Sequence, residues 1–161
     1  MSSTIRESRA VITPTATATG TSLKPKISST AITVIVCDDE KDILNILARA
    51  LRPKFHVVTA SSGNECIEKC KEISAANRES ITLLLLLDYK LGDMMGDEVA
   101  YRVNEVSSHM RILLMTAYEL DLAFIDTLKT QGYISGHIRK PFRLAHVIER
   151  IEEEVCSSQC I

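Results

Sequence analysis

The sequence predicts an α/β protein, a parallel five-stranded sheet made of five strand–helix units with helices on both faces. Three observations carry this. Short apolar runs alternate five times with segments of helical period. The most apolar run, "ITLLLLL" (Ile81 to Leu87), is apolar on both faces, as a central strand covered on both sides must be. It is far shorter than the roughly twenty residues of a membrane span. Finally, acids or a hydroxyl end these runs abruptly: Asp38 after the first, Asp88 after the third and Thr116 on the fourth. In open parallel sheets the crevice at such strand ends is where ligands bind.

Residues 1–30 are rich in Ser and Thr, with Pro14, Gly20 and Pro25 and no periodic apolar content, which predicts a flexible tail. Arg6 and Arg9, without an amphipathic face, make only a faint case for an organelle transit peptide. The folded part is expected over 31–155. "AITVIVC" is the first strand. "KDILNILARALRP" is a helix with Ile43, Leu47, Ala50 and Leu51 on one face, stopped by Pro53. "FHVVTA" is the second strand, Asn64 to Ser74 a helix, and Ile81 to Leu87 the third strand. Asp97 to Val106 is a helix with Val99, Val103 and Val106 spaced for burial. "RILLMT" follows as the fourth strand, Glu119 to Thr130 as a helix and "YISGHI" as the fifth strand. Phe142 to Val155 is the last helix, with Leu144, Val147, Ile148, Ile151 and Val155 on one face. Residues 156–161 form a short C-terminal tail.

A chain of 161 residues supports one domain plus tails. With 19 basic against 21 acidic residues, nothing in the charge balance invites nucleic acid or an acidic membrane. No apolar signal region follows the first Met and no long apolar stretch occurs, so the cytoplasm is the expected address. Five cysteines without an export signal predict reduced thiols. Cys66 with Cys70, and Cys156 with Cys160, share a CxxxC spacing that could build a four-thiolate zinc site, but ordinary thiols fit that loose spacing better. His56, His109 and His146 have no partners at metal-ligand spacing.

The chemistry lies at the strand ends. "CDDE" and "LLD" bring Asp38, Asp39 and Asp88 to one edge of the sheet. Three carboxylates packed together repel, which raises their pKa values or demands a cation. A hard divalent ion with oxygen ligands, Mg²⁺ or in its place Mn²⁺, resolves the repulsion and leaves room for a phosphoryl oxygen. Thr116 adds a hydroxyl donor, and Lys140 before Pro141 adds a fixed positive charge. A carboxylate nucleophile, a metal, a hydroxyl and an ammonium are the parts phosphoryl transfer requires.

The order "CDDE", "LLDYKLGDMMG", "LMTAY" and "IRKPF" resembles the receiver domain of two-component response regulators, over Ile32 to Val155. The resemblance implies a flavodoxin-like (βα)5 fold with strand order 2-1-3-4-5. It implies that Asp88 accepts a phosphoryl group from a histidine kinase or a histidine phosphotransfer protein. It also implies that Asp39, Asp88 and the backbone carbonyl of Lys90 bind the metal, with Asp38 acting through a water. Thr116 and Lys140 would grip the phosphoryl oxygens, and the Lys140–Pro141 bond would be cis. Phosphorylation would draw Thr116 inward and repack the face made by the fourth helix, fifth strand and last helix.

The sequence departs from the family at two places. Gly92 stands where a proline is usual, which predicts a looser loop, whereas Gly96 fits the pattern. His137 stands where an aromatic switch residue is usual; it serves as an imidazole switch or is merely an edge residue. Lys90 and Tyr118 are expected to shield an acyl phosphate from water, as suits a relay intermediate. Asp42 and Asp97 are of the type that caps helices.

Few residues follow the last helix, so the leading reading is a stand-alone receiver whose output is protein binding, as a monomer or a phosphorylation-dependent dimer. The fourth helix offers Leu120, Leu122, Ala123, Phe124, Ile125 and Leu128, more apolar surface than one buried stripe needs. A receiver-like scaffold that never sees phosphate is the alternative, and the complete acidic set argues against it. A haloacid dehalogenase-type phosphohydrolase would want a second acid where Lys90 stands. Flavin binding would want a hydroxyl- and glycine-rich loop where "DDE" stands.

Overall fold

The computed structural model describes residues 32–76, 81–117 and 120–158. The tail expected over 1–30, Tyr118 and Cys160 lie outside the described residues. The elements alternate strictly: β1 (Ile32–Cys37), α1 (Lys41–Leu51), β2 (His56–Ala60), α2 (Gly63–Ala76), β3 (Thr82–Asp88), α3 (Gly96–Val106), β4 (Arg111–Thr116), α4 (Leu122–Thr130), β5 (Gly136–Arg139) and α5 (Leu144–Ser158). All neighbouring strands pair in parallel, in the order β2-β1-β3-β4-β5. The five βα units are those the sequence predicts, and the strand order is the one the family resemblance implies.

Consecutive side chains of a strand point to opposite faces, so the leucine run on β3 feeds two cores at once. Leu83, Leu85 and Leu87 join Cys66 and Cys70 of α2, Val99 and Val103 of α3, and Ile125 and Leu128 of α4. Leu84 and Leu86 join Leu44, Leu47 and Leu51 of α1 and Val147, Ile151 and Val155 of α5. The run is apolar throughout because neither of its faces meets water.

Several expected details shift. The buried face of α1 is Leu44, Leu47, Ala48 and Leu51, and Ile43 and Ala50 are only half-buried at its margins. The buried set follows i, i+3, i+4, i+7, a truer helical stripe than the expected one. Val106 is exposed because it ends α3, and Leu144 is exposed because it begins α5. The fourth helix starts later than expected, at Leu122, where the Asp121 side chain accepts the Ala123 N–H at 3.0 Å.

The fifth strand also starts later than expected, at Gly136. The N–H groups of Tyr133 and Ile134 both go to the Leu128 carbonyl, closing the end of α4 around Gly132 at φ 78°. Tyr133 and Ile134 therefore belong to the helix stop. At the other end of the chain, α5 runs through Ser158, into the segment expected as a tail. Asp42 and Asp97 lie in the first turns of α1 and α3, but the capping positions are Glu40 and Met95, neither with a side-chain cap bond.

Candidate functional site

The carboxyl ends of β1 and β3 are adjacent in register, with Cys37 paired to Leu87, so Asp38 and Asp88 emerge side by side. One carboxylate oxygen each of Asp38, Asp39 and Asp88 lies within 4.8 Å of the other two. Asp38 is fully buried and Asp88 nearly so, while Asp39 is exposed at the rim. Lys140 reaches in after β5 and bridges the two buried acids, with Nζ 2.7 Å from Asp38 Oδ2 and 2.8 Å from Asp88 Oδ1. The Lys140–Pro141 bond is cis. The Lys140 N–H donates to the Thr116 carbonyl, tying the exit of β5 to the end of β4.

The backbone completes the arrangement. The Glu40 N–H donates to Asp38 Oδ1 at 2.9 Å, and the Lys90 N–H donates to Asp88 Oδ2 at 3.1 Å. Asp39 and Asp88 border a cavity of about 320 Å³, lined also by Glu40, Lys90, Gly92 and Lys140, among others. Burial drives the Asp88 carboxyl above its ordinary pKa, against the pull of Lys140, and the neighbouring charge of Asp38 adds to the rise. Lys140 balances the other way. Burial disfavours its charge, yet its bonds to Asp38 and Asp88 prevail and hold the ammonium above its usual value.

Three carboxylates thus face one ammonium, leaving net negative charge beside an open cavity. An all-oxygen, partly exposed donor set of that charge suits a hard divalent cation, so the residues present fit Mg²⁺ or Mn²⁺.

Of the residues the sequence singles out, Asp39, Asp88, Lys90 and Lys140 line one cavity, and the fully buried Asp38 joins them through its bond to Lys140. Thr116 is buried at the end of β4 and its neighbour Ala117 lines the cavity. His137 stands apart on β5, half-buried. Burial and the charges of Lys129 and Arg150 lower its pKa, opposed by Asp126. Cys66 and Cys70 pack in the core, where contact with Cys37 and burial push the Cys66 thiol up, and contact with Cys66 and burial do the same for Cys70. Such thiols are packing groups.

Sequence reasoning missed the Glu40 contact at the site and the Asp93 contact on the loop that follows Asp88. The Glu40 contribution is a backbone N–H, which no side-chain pattern reveals. Asp93 binds an element about thirty residues away, at Gly63 and Asn64, and only the fold brings them together.

A family model described as the response regulator receiver domain matches residues 34–152. The chain belongs to the response regulator receiver family. Among its relatives, this receiver is 29% identical over 121 residues to the probable transcriptional regulatory protein TcrX of Mycobacterium tuberculosis, covering 74% of this chain and 48% of that protein. It is 26% identical over 122 residues to sporulation initiation phosphotransferase F of Bacillus subtilis, covering 74% and 90%. This receiver therefore spans about half of the mycobacterial relative's length. It also spans only 7% of the hybrid signal transduction histidine kinase D of Dictyostelium discoideum, at 30% identity.

A solved structure of a response regulator receiver domain protein from Methanospirillum hungatei shares the fold. Its TM-score is 0.68 at 22% identity, covering 81% of this receiver and 98% of that chain. No helix among the described residues is long and apolar enough to cross a membrane.

Proposed function

We propose that this receiver is a signalling phosphoacceptor in which Asp88 takes a phosphoryl group from a histidine kinase or histidine phosphotransfer protein, catalysing only its own phosphorylation and dephosphorylation. The observation that carries the reading is the juxtaposition of Asp38, Asp39 and Asp88, with Lys140 bridging Asp38 and Asp88, beside a cavity that Asp39, Asp88 and Lys140 line. An Asp88 carboxylate oxygen attacks phosphorus, forming an O–P bond. The bond from phosphorus to the donor breaks, and the donor leaves with its electron pair.

Lys140 and Thr116 hold the phosphoryl oxygens as negative charge shifts onto them. Asp39, Asp88 and the Lys90 carbonyl would hold Mg²⁺ or Mn²⁺, with Asp38 acting through a water. When bound, the ion offsets charge on the transferring group. The buried β3 core keeps the nucleophile in place for in-line attack.

We place the chain as a phosphorelay intermediate with a protein partner, as a monomer or a phosphorylation-dependent dimer. Similarity to a phosphotransferase over 90% of that relative's length supports the relay role. In this reading Lys90, which lines the cavity, shields the acyl phosphate from water. The output surface in this reading is the α4–β5–α5 face, where Leu122 is 70% exposed, with Thr116 and His137 as the switch pair. The free thiols of Cys37, Cys66, Cys70 and Cys156 suit a cytosolic location.

The test is intact mass over time with acetyl phosphate and Mg²⁺, beside an Asp88→Asn variant and a chelator control. One added phosphoryl group, absent from both controls, is expected. Phosphorylation that persists in Asp88→Asn would overturn the assignment. No phosphorylation even from a panel of phosphohistidine donors would favour the phosphate-independent scaffold.

A further inference from the structure

The loop from Tyr89 to Gly96 folds back on itself as a narrow hairpin. Lys90 and Met95 form an antiparallel bridge, the Leu91 N–H donates to the Met94 carbonyl at 3.2 Å, and the Gly96 N–H donates to the Tyr89 carbonyl at 2.6 Å. Lys90 lies on the outgoing arm, with its N–H on Asp88 Oδ2. The direction of its carbonyl therefore follows from where the hairpin sits.

The tip of that hairpin is fastened to α2. Asp93 Oδ1 accepts the Gly63 N–H at 2.8 Å, and Oδ2 accepts the Asn64 N–H at 2.9 Å and Asn64 Nδ2 at 3.0 Å. These bonds are charge-assisted and lie at a helix N-terminus, where a carboxylate is favoured. Burial opposes the ionised form, but the Asn64 and Gly63 donors outweigh it and hold the Asp93 carboxyl below its usual pKa.

Met94 packs beside Gly63 so closely that a Cβ there would fall 2.4 Å from Met94 Cγ and 2.7 Å from its Sδ. The neighbour of Asp93, Gly92, works against order, because glycine has the most backbone freedom to lose. Fastening at Asp93 and Met94 offsets it.

We propose that Asp93 is a positioning residue for phosphoryl transfer: by clamping the hairpin tip to the start of α2, it fixes the Lys90 carbonyl and sets the metal affinity of the site. The proposal rests on the reading of the acidic site given above. The competing role is a plain cap for α2, whose loss would lower stability and nothing else. Ser62→Ala separates the two. Ser62 Oγ accepts the Glu65 N–H at 3.2 Å and so caps the same helix through a bond that does not involve Asp93.

The experiment is calorimetric titration of the full chain with MgCl₂ for wild type, Asp93→Ala, Asp93→Asn and Ser62→Ala, with folding of each checked by circular dichroism. Asp93→Ala is expected to weaken Mg²⁺ binding about ten-fold, as loss of outer support does at metal sites. Phosphorylation by acetyl phosphate should slow in parallel at low Mg²⁺ and recover at saturation. Asp93→Asn keeps one oxygen acceptor and should fall between, which keeps the test decisive if the alanine variant fails to fold. Ser62→Ala should leave the affinity within about two-fold of wild type, whatever it does to stability.

Unchanged affinity in a folded Asp93 variant, or an equal loss in Ser62→Ala, overturns the proposal. A wild-type chain that takes up no Mg²⁺ overturns the reading of the acidic site, and the positioning role with it.

Discussion

β3 and α4 pack into the same core and are held very differently. β3 buries five consecutive leucines between two cores and carries Asp88 at its end. α4 buries only Ile125 and Leu128 and leaves Leu122 70% exposed. The two are joined by an edge-on ring contact, Tyr89 directly after Asp88 against Phe124 of α4, with centroids 6.3 Å apart. A nucleophile needs a fixed position, whereas a reporting surface needs a second arrangement of nearly equal energy. Under the proposed function, this contrast would keep fixed chemistry at the centre of the sheet and adjustable output at its margin.

The contrast breaks first if the two regions tolerate truncation equally. Leu86→Ala removes a fully buried side chain and should cost about 2–5 kcal/mol by urea unfolding, while Leu122→Ala should stay within about 0.5 kcal/mol. Comparable losses would make α4 as integral as β3.

Mg²⁺ sharpens the comparison next. If the acidic site binds the ion in the folded state alone, a concentration 100 times Kd stabilises the chain by about 2.7 kcal/mol against chelator, read as a shift in urea midpoint.

The smallest effect is at His137, beside α4. Its lowered pKa means the unfolded chain takes up the proton first, so stability should fall as pH drops through about 6.5 and below. The ring is only half-buried, so the loss should stay within about 0.5 kcal/mol. His137→Phe should flatten that slope in urea midpoints taken from pH 7.5 to 5.5.

The same contrast explains what was legible in the sequence. Residues fixed by the sheet were readable, because a strand end locates Asp38, Asp88 and Lys140 in space once parallel order is granted. At the margin, reading failed in detail. The start of α4 turns on a cap by Asp121, and the start of β5 on backbone bonds that close α4 over Tyr133 and Ile134. Periodicity carries neither signal. Gly92 suggested a loose loop, yet the hairpin is fastened through Asp93, and that contact exists only once α2 and β3 have come together.

Hydrogen exchange on the full chain, with and without phosphorylation by acetyl phosphate, tests the division most directly. The expected result is slow exchange in β3 in both states, with faster exchange in Leu122–Thr130 that changes on phosphorylation. Protection in α4 equal to that of β3, or identical in the two states, would contradict the account.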